Sequence, residues 1–89
     1  MNNKTSSEQK PLTSAQIRAA RALLRWSANV LARHSKLGIA TIRRAELAEA
    51  ETKLTAANDQ AVRSALEAAG VEFIDENGGG VGVRLRKGT

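Results

Sequence analysis

Two periods of apolar residues run along this chain. In LTSAQIRAARALLRW, Ile17, Ala20, Leu23 and Leu24 recur three and four residues apart, which predicts a helix with that stripe turned inward. Thr13 followed by Gln16 has the form of a capping box and marks its start. Ser27 is placed to cap a second helix that carries Val30, Leu31 and Ala32 and ends near Ser35. Gly38 interrupts the pattern, and a third helix follows over about 39–47. AEAETKL reads either as its continuation or as a loop. Thr55 or Asn58 can cap a last, longer helix with Ala61, Val62, Ala65, Leu66 and Ala69 facing inward. Gly70 stands where a left-handed residue ends a helix, with Val71 as the apolar residue beyond it. There the period drops to two. VEFID, ENGGG and VGVRLR read as strand, turn and strand, with Val71 and Phe73 on one face and Val83 and Leu85 opposite them. An isolated hairpin is marginal in water, so this one must pack on the helices or pair through its edge with another chain.

The fold class expected is mainly α with a C-terminal β-hairpin. The polar run MNNKTSSEQK suggests a disordered arm over 1–12, followed by a helical domain over 13–70 and the hairpin over 71–89. With 89 residues there is room for one small domain. Trp26 and Phe73 are its only aromatic residues other than His34, so the core must rely on closely packed alanines. Trp26 reads as a plug between helices, with a base-stacking ring as the alternative.

Several chemistries find no support. Without cysteine there is no disulfide framework and no thiolate metal site, which fits a reducing cytoplasm. His34, the single histidine, has no companions for a zinc site and reads as a polar or half-buried helix residue. NGGGVG lacks the lysine and hydroxyl residue of a phosphate-binding loop, and its glycines suit a hairpin turn instead. Glu49 and Glu51 have no histidine or nucleophile beside them. The expectation is a non-enzyme with no cofactor and no metal. No apolar run approaches the roughly 20 residues of a membrane span, and no signal-peptide core stands at the start.

Charge changes the picture through its distribution. Residues 14–46 carry seven basic side chains against one acid, and 47–77 carry seven acids against two basic side chains. Arg84, Arg86 and Lys87 make the end basic again, and the whole chain is +5. A basic block beside an acidic one attracts a polyanion at one side and repels it at the other.

The basic block contains the most informative spacing, WSANVLARHSKLGIATIRRAE. Two helices that cross closely need an apolar residue late in the first, a small one beside it, an apolar residue in the turn and apolar or small residues facing inward from the second. Leu31, Ala32, Leu37, Ile42 and Ala45 meet these needs in order. Here the sequence resembles the Cro/lambda-repressor-type helix-turn-helix regulators, the XRE family. The resemblance extends back through LTSAQIRAARALLRW and forward to the last helix. The ending GVEFIDENGGGVGVRLR is similar to the tail of a short bacterial subgroup.

The resemblance implies a lambda-repressor-like domain and a cytoplasmic, nucleoid-associated location. It implies that Ile39, Ala40, Thr41, Arg43 and Arg44 form the exposed face of a recognition helix, that Ser27, Ala28 and Asn29 touch the DNA backbone, and that Arg21 and Glu46 form an ion bridge between helices. Three positions depart from the family pattern. Lys36 stands where the turn usually has glycine, often with positive φ, at a cost of about 1 kcal/mol. Gly38 replaces the usual serine or threonine cap, and Ala28 replaces a common glutamine.

The residues themselves suit the major groove. An arginine fork meets guanine O6 and N7 together, with roughly 1–3 kcal/mol of discrimination. Arg43 and Arg44 point about 100° apart on a helix, so Arg44 is assigned to a base edge and Arg43 to a base or phosphate. Ile39, Ala40 and the Thr41 methyl could meet thymine methyls, with core packing the alternative for Ile39. Arg33 and Lys36 suit phosphates, as do the amides at the Ser27 helix start. The expected protein is a transcriptional repressor that binds double-stranded DNA as a homodimer, on a pseudo-palindrome with half-sites roughly 34 Å apart. The hairpin and last helix would form the dimer, unless Arg84, Arg86 and Lys87 clamp flanking phosphates. The alternative is a protein-interaction module, an antiactivator or antitoxin, on the same scaffold.

Overall fold

The computed structural model describes residues 10–49 and 51–87. Four helices come first, α1 (Ser14–Leu24), α2 (Ala28–Ser35), α3 (Ile39–Leu47) and α4 (Ala56–Ala68). An antiparallel hairpin follows, β1 (Val71–Ile74) and β2 (Gly82–Leu85). The protein is mostly helical with one small two-stranded sheet.

Local chemistry sets the helix ends. Thr13 Oγ1 accepts from the Gln16 N–H at 3.1 Å, and the Thr13 N–H donates to Gln16 Oε1 at 3.0 Å, which completes the capping box. Ser27 and Thr55 each accept the amide three residues on, from Val30 and Asn58. α1 and α2 end alike. Arg25 (φ 59°) and Lys36 (φ 61°) adopt left-handed backbone. The next amide then reaches back five residues, from Trp26 to the Arg21 carbonyl and from Leu37 to the Ala32 carbonyl, both at 3.0 Å. Gly70, just past the end of α4, has a φ of 109° that suits glycine, and in the segment after α3 residues 51–55 are not helical, with Glu51 bridging to Thr13.

A single core joins the helices to the hairpin. Ile17, Ala20, Leu31, Ile42, Val62, Leu66 and Val71 are essentially inaccessible. Burying each of the valine, leucine and isoleucine side chains contributes roughly 1.5–3 kcal/mol. α1 packs on α3 and β2, and α4 on α2 and β1. The strand register pairs Val71 with Leu85 and Phe73 with Val83, as the period-two pattern implies. Of the two ways to support the hairpin, packing on the helices is the one seen. Gln16 ties it down further: its buried amide caps α1 with the oxygen and donates through Nε2 to the Gly82 carbonyl at 3.1 Å.

Some positions differ from the sequence reading. Residues 1–9 of the expected arm lie outside the described residues, but Leu12 is 2% exposed and belongs to the core. Its N–H donates to Asp59 Oδ1, and the Lys10 carbonyl accepts from Arg63 Nη2 at 2.8 Å, so α4 holds this segment through polar groups. Leu23, expected inward, is 41% exposed, because it lies at the edge of the stripe led by Ile17 and Ala20. Arg63 is 3% exposed on the face meant for apolar residues, with its guanidinium 5.3 Å from the Phe73 ring centre.

Candidate nucleic-acid interface

The candidate site is the α2–turn–α3 unit. Lys36 makes the turn possible: its left-handed backbone redirects the chain after α2. Leu37 then packs against the core. Gly38 starts α3 without a side-chain cap, and its carbonyl accepts from Thr41 and Ile42.

α1 holds α3 at the far end. Arg21 Nε and Nη2 donate to the two carboxylate oxygens of Glu46 at 2.6 and 2.8 Å, and Nη1 donates to the Trp26 carbonyl at 2.8 Å. The fork geometry is bidentate, the strongest form of this pair. The Glu46 hydrogen bond raises the Arg21 pKa above its ordinary value, although partial burial opposes it. Arg18 Nη1 donates to the Glu46 carbonyl, and Ser14 Oγ donates to the Ala48 carbonyl at 2.7 Å. The last carbonyls of a helix have no partners within it. α1 supplies partners for two carbonyls at this end, one of them from a cation that also favours the helix C-terminus.

Ile42, Ala45 and Glu46 are buried on the inner side of α3. Ala40, Arg43 and Arg44 are exposed, and Leu47 is 82% exposed. Thr41 is half-buried. Ile39 is half-buried and packs against the core, so only part of its side chain faces solvent.

On α2, Asn29 and Arg33 are exposed, while Ala28 is half-buried against the core and offers its backbone rather than its side chain. Ser27 Oγ already accepts from Val30, and the amides of Ala28 and Asn29 have no internal acceptor among the described residues. Lys36 is exposed in the turn, at the opposite end of α2 from these amides. Trp26 is half-buried, and its ring stacks on that of exposed His34, with centroids 4.3 Å apart and planes 23° from parallel.

The arginines, with Lys36, therefore divide into two groups. Arg18, Arg21, Arg63, Arg84 and Arg86 are engaged with protein groups. Arg25, at the end of α1, and Arg33, Lys36, Arg43 and Arg44 have no ion pair among the described residues. Net charge by segment did not separate these groups. The hydrogen bond of Arg18 to the end of α3 and the burial of Arg63 left no sequence signal beyond a basic residue on a helix. Arg84 meets Glu72 at 2.6 Å across the strands, and Arg86 Nη2 donates to the Glu67 carbonyl.

Among the described residues no group of histidine and carboxylate side chains could hold a metal, and no helix is long and apolar enough to cross a membrane. Compared with known proteins, the chain matches no family model and no curated protein.

Proposed function

We propose that the chain is a sequence-specific DNA-binding regulator with a lambda-repressor-like fold, of the XRE type its sequence resembles. α3 is its recognition helix. One observation carries this reading: the cations without protein partners among the described residues include Arg43 and Arg44 on the outward side of α3, with Lys36 and Arg33 on the α2 side of the turn. Arg44 reads a base edge in the major groove, and Arg43 reads a base or a phosphate. Ala40 and the Thr41 methyl contribute apolar contact. Arg33, Lys36 and the free amides at the start of α2 fix the register on phosphates.

One such helix spans only a few base pairs, so the protein acts as a homodimer on a pseudo-palindromic operator with half-sites roughly 34 Å apart. It works as a repressor in the bacterial cytoplasm, on the nucleoid. Its hairpin is the dimer contact, because Val81 and Leu85 are each 46% exposed there. The same exposed residues favour a second reading, a protein-interaction module in which the hairpin meets a different protein.

A mobility shift with the DNA upstream of its own gene separates the two. The regulator retains that DNA over a scrambled duplex, with affinity falling steeply as salt rises because counterions are released. Equal, weak retention of both duplexes at low salt would favour the interaction module.

A further inference from the structure

An open cleft of about 600 Å3 lies between the C-terminal half of α3 and the segment leading into α4. That volume is within the range of small-molecule sites. Thr41 and Arg44 line it from α3, and residues 52–55 with Asn58 line it from the other side. Its polar side chains are two cations (Arg44 and Lys53), three hydroxyls and one amide, with no carboxylate. Glu49 and Glu51 belong to the same loop but do not line the cleft.

The donors are available. Arg44 and Lys53 have no ion pair among the described residues. The hydroxyl oxygens of Thr52 and Thr55 accept from the amides of Leu54 and Asn58 at 3.1 and 3.0 Å, which leaves each hydroxyl proton to donate. Thr52 is 7% exposed, so its hydroxyl is held in place. Beneath these groups Ala45, Ala48 and Leu54 supply apolar surface. A bare phosphate would use the cations and leave this surface wet.

We infer that the cleft binds a small organic anion, a phosphate or carboxylate with a compact apolar body, and that the bound anion competes with DNA. The competition rests on the proposed function, because a guanidinium paired with a carboxylate or phosphate in the cleft is withdrawn from guanine. Binding of the anion itself does not depend on that reading.

The test is a titration of the full chain, without DNA, followed through its amide NMR spectrum. The probes are phenyl phosphate, phenol and inorganic phosphate at matched ionic strength. Phenyl phosphate should shift amides over 41–58 saturably and leave the hairpin unmoved. Lys53→Asn removes the cation but keeps a residue that tolerates the left-handed backbone there (φ 63°). It should weaken phenyl phosphate by about tenfold, the effect of one lost charged hydrogen bond, and its spectrum reports whether the fold is kept.

Three results would overturn the inference: no saturable shift, phenol binding as tightly as phenyl phosphate, or inorganic phosphate binding as tightly. In a second arm, saturating phenyl phosphate should weaken retention of operator duplex by about tenfold, a typical coupling between linked sites, relative to chloride at equal ionic strength. Unchanged retention would overturn the competition. Binding of phenyl phosphate by a chain that retains no duplex would instead sink the DNA reading, and the competition with it, while the cleft assignment stands.

Discussion

The arginines of α1 and those of α3 belong to one basic block, yet they have opposite fates. Arg18, itself exposed, and half-buried Arg21 hold the end of α3 through a carbonyl and a carboxylate. Arg43 and Arg44, one turn or less from that end, face solvent without an ion pair among the described residues. The first pair orients the helix that carries the second. A count of charge therefore overstates the surface open to a polyanion. The useful quantity is the charge left after internal partners are assigned.

This division can be broken most strongly at Glu46. Its side chain is 9% exposed and Arg21 is 24% exposed, so removing the carboxylate strands a partly buried cation. Glu46→Ala should lower unfolding free energy by about 3 kcal/mol, measured by urea denaturation. A loss near zero would mean that α3 is oriented by its apolar face alone.

Arg44→Ala tests the other side of the comparison. Discrimination at one or two base pairs per half-site should fall by roughly 1–3 kcal/mol. Its thermal stability should stay within about 0.5 kcal/mol of the parent, as for an exposed side chain with no partner among the described residues. A variant that reads every sequence as the parent does would refute the role of Arg44.

Lys36 sharpens the comparison because one residue carries both a strained backbone and a free cation. Lys36→Gly should raise stability by about 1 kcal/mol, since glycine enters the left-handed region freely. The same change should reduce the slope of log affinity against log salt by about one phosphate. Stability and binding then move in opposite directions, which thermal melts and salt-dependent mobility shifts would record together.

The smallest effect is expected at Gly38. An added Cβ meets nothing within 4 Å there, and the residue has the extended backbone of a helix cap. Gly38→Ser should stabilise the protein by a few tenths of a kcal/mol through a side-chain cap. A loss in the same denaturation experiment would show that the start of α3 needs the missing side chain for another reason.

Much of the helical frame was legible in the sequence. The Thr13 capping box, the Ser27 cap and the Ile39–Leu47 span of α3 follow from residues a few positions apart, whereas the left-handed backbone at Lys36 was implied by the resemblance. The Arg21–Glu46 bridge followed only from resemblance, because its partners are 25 residues apart. Leu12, Gln16 and Arg63 show what was hidden. Leu12 looks like the end of a polar arm, and its burial depends on where α4 lies. Gln16 satisfies a local cap with one end of its amide and a distant strand with the other.

Helix starts, turns and the alternation of the hairpin were determined by the sequence itself, because hydrogen bonds to nearby amides and side-chain periodicity act over a few residues. Only the tertiary structure decided which cations are ligands of the protein and which remain for something else. Pairing a guanidinium requires a carbonyl or carboxylate at the right distance and angle, and here those acceptors arrive from other elements of the fold.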